Sequence, residues 1–126
     1  SREKHQEVCW MNELIETIFT DFTVDGVSVP VKYLYYEGHG EPYVTYQQVY
    51  GENPLCGDDQ LIGYVDVYDF DVYSKGNYKN IANKIKELLT QNHFMWQPSE
   101  SGPDQYEPDT KYYHKILTFS YIKEEN

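Results

Sequence analysis

The amino-acid sequence predicts an α+β domain in which a mostly antiparallel β-sheet of four to five strands packs with two main α-helices. Apolar residues recur at helical spacing near the start of the chain and again around residue 80. Runs rich in β-branched and aromatic residues fill most of the remainder, and Gly, Asn and Pro separate them. The 126 residues fit one domain over 1–126.

Two segments have the pattern of an amphipathic helix. From Met11 the apolar positions follow i, i+3, i+4 spacing through Phe22. The second helix is capped by Ser74 or Asn77 and ends near Asn92. Residues 1–10 are mostly polar and charged, and two interpretations stay open. They are an upstream extension or an artificial remnant before a natural start at Met11, or the helix begins earlier, because Val8 continues its apolar stripe. The predicted buried stripe of the second helix is Ile81, Ala82, Ile85, Leu88 and Leu89.

The strand candidates are five extended segments. The third has apolar residues on both faces, which is typical of a central strand, and its length predicts a bend near Gly63 or Asp69. Asp25-Gly26 predicts a turn, and Gly51–Asp59 and Gln97–Asp109 read as loops. The five segments are Val31–Tyr36, Tyr43–Tyr50, Gln60–Tyr73, Phe94–Trp96 and Lys111–Ile122.

The charge balance excludes several classes of partner. The chain has 21 acidic and 10 basic residues, a net charge of −11. Such a surface repels phosphates and anionic lipids, so we expect no specific nucleic acid and no membrane as partner. No apolar run reaches the roughly 18 residues of a membrane helix. Cys9 and Cys56 make no disulfide framework, which favours a reducing cytosol.

No residue pattern indicates catalysis. The four histidines lie in different segments without metal-ligand spacing, and Cys56 has no neighbouring base in the sequence. Asp66, Asp69 and Asp71 suggest a cation site, but they lack the glycine and glutamate of a calcium loop, and Asp66 points away from the other two in a strand. We therefore expect no enzyme, no catalytic residue, no metal and no cofactor.

The 14 tyrosines have three interpretations. Tyrosine packs well in sheets, is enriched at protein interfaces, and stacks on sugar rings. Because many of these tyrosines fall in predicted strands, we favour sheet packing with an interface over carbohydrate binding.

Charge is also segregated along the chain. No Lys or Arg lies between Lys32 and Lys75, whereas eight acids lie between Glu37 and Asp71. A solvated strand followed by a solvated helix explains this pattern. Alternatively, the basic helix of one subunit meets the acidic strand of the next in a head-to-tail contact that can close into a ring. The candidate interface residues are Asp66, Asp69, Asp71, Lys75, Lys79, Lys84 and Lys86.

Four features in a fixed order carry a family resemblance: Glu41-Pro42-Tyr43-Val44-Thr45-Tyr46-Gln47, a strand ending Asp71-Val72-Tyr73-Ser74-Lys75, an amphipathic helix from Tyr78, and a closing aromatic strand. From Met11 to Lys123 the chain resembles the small tail-completion proteins of long-tailed bacteriophages, which are the tail terminator and head–tail joining proteins. The loop Gly51–Asp59 and the arm Gln97–Asp109 depart from that pattern, and either is a candidate contact arm.

The resemblance implies an α+β subunit of a ring, commonly hexameric, that caps the tail tube without catalysis. The implied partners are further copies of the chain, the major tail protein and the head–tail connector proteins. The implied location is the virion tail or neck, reached from the cytoplasm of the bacterial host during assembly. The acidic charge adds the hypothesis that the ring interior repels passing DNA.

Two other classes stay open. A carbohydrate- or receptor-binding module predicts exposed tyrosines in a groove. An acidic inhibitor that mimics DNA predicts carboxylates spaced like phosphates along one exposed face.

Overall fold

The computed structural model describes residues 11–51 and 63–124. The predicted α+β class with two helices is confirmed. The first helix, α1, is described over residues 11–18. It is followed by β1 (Thr23–Val24), β2 (Val27–Ser28), β3 (Val31–Tyr33), β4 (Tyr43–Gly51), β5 (Gly63–Ser74), α2 (Tyr78–Gln91), β6 (Phe94–Trp96), β7 (Gln105–Glu107) and β8 (Tyr112–Glu124).

The main sheet has more strands than the predicted four to five, and it is mixed. Its six strands run in the order β3-β4-β5-β8-β6, with β7 pairing to β8, and β1 and β2 form a separate hairpin. That hairpin turns at Asp25-Gly26, as predicted, with positive φ at both residues. Strands of two or three residues are too short to show a period, which is why β1, β2 and β7 were not predicted.

The pairing of β3 with β4 is parallel, whereas the other pairings are antiparallel. The sequence predicted a strand to Tyr36, but β3 stops at Tyr33 because Leu34 has φ +71°. The chain then loops back through residues 34–42, so that Val44 lies beside Val31 in the same direction.

The other long elements follow the predictions closely. α2 begins after Asn77, although the Asn77 side chain accepts a hydrogen bond from Ser74 Oγ and makes no cap bond to the helix. β5 lies between β4 and β8, which confirms the central strand. The irregularity occurs in the β4 partner between Gln48 and Tyr50 rather than at the predicted bend in β5. The predicted loop 51–59 and residues 1–10 lie largely or wholly outside the described residues.

Both helices pack on one face of the sheet, which we call the helix face. Phe70 at the centre of β5 is fully buried, and its ring lies 5.8 Å from Phe19, 5.5 Å from Tyr46 and 5.8 Å from Phe119. Residues from α2 that complete this core are Ile81, Ala82, Ile85 and Leu89.

The opposite face carries no helix from the described residues, and we call it the open face. Alternation along β5 and β8 places Asp69, Asp71 and Tyr73 on it, together with His114 and Thr118. Apolar residues therefore alternate with polar ones along the two central strands, and this alternation decides where the candidate site residues lie.

The loop 34–42 is held against the open face through its backbone. Tyr112 Oη accepts a hydrogen bond from Gly40 N at 2.9 Å and donates one to Glu41 O at 3.0 Å. At Gly38 a Cβ would lie 2.6 Å from Cε1 of Tyr43 and 2.8 Å from Tyr112 Oη. The Tyr43 ring is itself stacked on Tyr73, so it has little room to move away.

Gly38→Ala is therefore expected to reduce the free energy of unfolding by about 1–3 kcal/mol, because the added methyl group overpacks this contact. Urea unfolding measures the change. Gly76→Ala is the matched control, since nothing lies within 4 Å of its Cβ position and its φ is not positive. An equal loss in both variants would contradict the packing explanation.

Candidate functional site

The seven charged residues predicted at a subunit interface do not form one surface. Asp66 is 0% exposed and lies on the helix face of β5, where Gln48 Nε2 donates to its Oδ1 at 3.2 Å. Its Oδ2 has no hydrogen-bond partner among the described residues. Burial raises the pKa of Asp66 to about 6. We therefore leave Asp66 out of any proposed contact.

Asp69 and Asp71 share the open face, as predicted, but both are tied to β8. Thr118 Oγ1 donates to Asp69 at 2.7 Å, and His114 Nε2 lies 3.2 Å from Asp71 Oδ2. Burial raises the pKa of Asp69, the hydrogen bond from Thr118 opposes that rise, and neighbouring Asp71 and Glu100 add to it. No lysine or arginine of the described ranges forms an ion pair with either aspartate.

Two further acids join them to make an acidic cluster, defined here as Asp69, Asp71, Glu100 and Glu107. The backbone oxygen of Glu100 lies 3.3 Å from Thr118 Oγ1, which places Glu100 beside Asp69. Glu107 Oε2 lies 3.9 Å from His114 Nδ1. The sequence predicts both acids in the loop Gln97–Asp109. Their position beside the open face depends on the pairing of β7 with β8, which no local sequence pattern reveals.

The four predicted lysines are dispersed. Lys75 follows the last residue of β5, and its Nζ lies 5.6 Å from the centre of the Tyr112 ring on the open face. On α2, Lys84 forms an ion pair with Glu87 at 3.5 Å, and Lys86 Nζ lies 4.0 Å above the Trp96 ring. Lys79 is exposed and lowers the pKa of Asp104 weakly, behind the hydrogen bonds from Lys115 and Tyr78 and the coulombic effect of Lys115.

One row of aromatic rings crosses the open face at a single register position. Tyr43 stacks on Tyr73 at 4.6 Å, and Tyr73 stacks on His114 at 4.2 Å. Tyr112 meets Tyr43 edge to face at 5.5 Å. The sequence placed these residues in strands, but their alignment depends on the register of three strands, which no local pattern reveals.

This face combines stacked aromatic rings with a concentration of carboxylates. Within the described ranges, no group of three or more His, Cys, Asp or Glu side chains could hold a metal ion. The three aspartates of the sequence-predicted cation site do not converge, since Asp66 lies on the other face of the sheet. In the same ranges no helix has the length and apolar character to cross a membrane.

Comparisons with known proteins do not assign the chain to a family. No family model matches it, and no curated protein matches it significantly.

The buried Asp66 predicts a pH-dependent stability. Because its pKa is about 6 in the folded chain and about 3.9 in an unfolded chain, folding favours the protonated form. The stabilisation is complete below the unfolded value and is lost as the pH rises through about 6. A shift of two units corresponds to about 3 kcal/mol.

In Asp66→Asn that ionisation is absent, and the Asn oxygen can still accept from Gln48. The free energy of unfolding of Asp66→Asn minus that of the wild type should therefore rise by up to about 3 kcal/mol between about pH 4 and pH 7. Asp21→Asn, at an exposed position, is the control for loss of one charge. A difference that stays constant with pH would show that Asp66 does not titrate in this way.

Proposed function

We propose that the chain is a structural, non-enzymatic ring subunit, and specifically a tail-completion protein of a long-tailed phage or prophage that terminates the tail tube or joins tail to head. The support is the order of its segments, namely a Pro-Tyr-Val strand, a strand ending Asp-Val-Tyr-Ser-Lys, an amphipathic helix and an aromatic closing strand. The α+β architecture with both helices on one face is compatible with such a subunit.

The observation that carries the proposal is that the two sides of the sheet differ in charge. The outer surface of α2 bears Lys79, Lys84 and Lys86. The opposite side bears the acidic cluster, where His114 is the only basic side chain in direct contact with it among the described residues. A ring of such subunits has two chemically different surfaces, as a protein that connects unlike partners requires.

In this ring the open face lines the lumen and the helices lie outside. The acidic cluster then repels the phosphates of passing DNA, and the long-range charge of −11 acts in the same direction. Like charges on the cluster are tolerated because Thr118 and His114 lie against its two central aspartates.

The seven charged residues that the sequence predicts at a subunit contact are weaker candidates once their surroundings are known. Asp66 is buried, and Asp69, Asp71, Lys84 and Lys86 each have a neighbour within the same chain. The sequence-predicted pairing of the α2 lysines with Asp69 and Asp71 of another copy is an alternative to the lumen arrangement. It sets the open face of one copy against α2 of the next, because α2 packs on the helix face.

The two rival functions are less well supported by the same geometry. Tyr43 and Tyr73 stack on one another, so these ring faces are occupied and not free for a sugar. A DNA mimic needs carboxylates in an exposed row, whereas the β5 aspartates are buried or half-buried.

The assembly role predicts the phenotype of gene loss. In the phage or prophage that encodes this chain, inactivating its gene should give heads that are not joined to tails, or tails of uncontrolled length, because the growing tube end is not capped. Electron microscopy of the particles measures this, and wild-type chain supplied in trans is the control. Joined particles with tails of normal length would contradict the proposal.

The lumen hypothesis predicts slower DNA passage when the open face loses charge. Particles carrying Asp69→Asn and Asp71→Asn should eject DNA more slowly than wild type, because a lumen with fewer carboxylates repels phosphate less. Glu13→Gln is the control, since it removes a carboxylate from an exposed position of α1. Equal ejection rates in all particles would refute a repelling lumen.

A further inference from the structure

Within the described ranges, the strands at the two ends of the main sheet, β3 and β6, each have one edge that pairs with no other strand. Val44 N donates to Pro30 O, and Leu34 N donates to Tyr46 O, both at 2.8 Å. By alternation, the backbone of Val31 and Tyr33 points away from β4. No described residue accepts from the N–H of Val31 or Tyr33.

The same alternation applies to β6 at the other end of the sheet. Gln97 N donates to Thr118 O at 2.8 Å, so residues 97 and 95 face β8. The backbone groups of Phe94 and Trp96 therefore point outward. They too lack a backbone partner among the described residues.

A strained turn at the end of β3 presents apolar side chains to solvent. Tyr35 N donates to Tyr33 O at 2.7 Å across Leu34, whose φ is +71°. This is a γ-turn of the rare, strained kind, at a residue type that seldom adopts positive φ. Tyr33, Leu34 and Tyr35 are 43%, 58% and 70% exposed. Backbone strain beside exposed apolar side chains indicates a functional constraint rather than a packing requirement.

A groove runs along this unpaired edge, between β3 and the end of α1. Its volume is about 540 Å³, and it is lined by Val31 and Tyr33 and by the acidic residues Glu16 and Asp21, with Lys32 as the only basic residue among the lining residues. At the other end of the sheet, Met95 and Trp96 are 52% and 39% exposed, and Lys86 sits over the Trp96 ring.

We propose that β6 of one copy pairs with β3 of the next copy, with Trp96 entering the groove beside β3. Main-chain hydrogen bonds between the two edges supply the pairing, and the aromatic side chain supplies the anchor. Lys86 Nζ lies over the Trp96 ring of the same copy. When Trp96 enters the groove, Lys86 therefore comes near Glu16 and Asp21 of the next copy, and the contact is complementary in charge. The two strands have equal length, three residues each.

This inference rests on the proposed self-assembly and specifies its contact. Because β3 and β6 are different edges, the contact is head-to-tail and can close into a ring. It places neighbouring sheets side by side, so that the open face of every copy points to the lumen. Pairing of the α2 lysines with Asp69 and Asp71 of the same ring is then excluded.

Variants that block one edge each provide the test. Tyr33→Pro removes an outward N–H without removing a hydrogen bond between β3 and β4. Leu34→Asn removes exposed apolar area at the end of the β3 edge and keeps a residue that tolerates positive φ, so it replaces Tyr33→Pro if the latter does not fold. Trp96→Glu blocks the other edge. Ile122→Glu, an exposed apolar residue on the open face, is the matched control.

Sedimentation velocity of the purified chains measures their self-association, and circular dichroism verifies that each variant is folded. Each edge variant alone should self-associate at least about tenfold more weakly than wild type, as expected for loss of an interface anchor. Mixing Tyr33→Pro with Trp96→Glu should restore a 1:1 dimer and nothing larger, because only one intact β3 edge and one intact β6 edge can meet. Ile122→Glu should behave as wild type.

Three results would overturn the proposal: a Trp96→Glu variant that associates as wild type, a mixture that gives no dimer, and a wild-type chain that stays monomeric at its highest soluble concentration. None of these results decides the proposed function, which is tested separately by electron microscopy of the phage particles. If phage carrying the edge variants assemble normally while phage lacking the gene do not, the edge pairing is wrong and the tail-completion role stands.

Discussion

The burial of Phe70 under two helices is the interaction on which the rest of the structure depends. Its ring lies against Phe19 directly after α1, against Tyr46 of β4 and against Phe119 of β8. Phe70 therefore joins the end of the first helix to the strands β4, β5 and β8, and removing such a side chain typically costs about 3–5 kcal/mol. Because side chains alternate along β5, fixing Phe70 toward the helices also fixes Asp69 and Asp71 toward the other side. The core thus determines the acidic face.

The open face carries its charged groups beside a row of stacked aromatic rings. Tyr43, Tyr73 and His114 stack across three strands, and Tyr112 holds the loop 34–42 by its backbone. These rings bury one another, so apolar area is removed from water although no helix of the described residues covers this face. Thr118 donates a hydrogen bond to Asp69, and His114 Nε2 lies 3.2 Å from Asp71 Oδ2. Each of the two central aspartates therefore has a partner on β8.

Most of the fold could be predicted from sequence because the long elements have strong periods. α2 and β8 were predicted within one or two residues, and the turn at Asp25-Gly26 was recognised from its residues. The predictions that were wrong concern features set by contacts between residues far apart in the chain. The parallel return of β4 beside β3 follows from positive φ at Leu34, a residue type that gives no turn signal. The burial of Asp66 likewise reflects the packing around one position, since an aspartate in a strand is ordinarily expected at the surface.

The sheet edges offer the proposed self-assembly a contact that the charge pattern does not indicate. Natural sheets protect an edge with lysine, proline or a bulge, or by covering it, because an unpaired edge recruits further strands. In this chain Pro30 precedes β3 and Lys32 lies within it, but Leu34 and Tyr35 extend the edge with exposed apolar area. The proposed contact matches this edge to a partner whose own edge is short and carries an aromatic side chain. β6 of another copy has both properties. In the proposed contact, charge selects the register, whereas backbone pairing and aromatic burial supply the affinity.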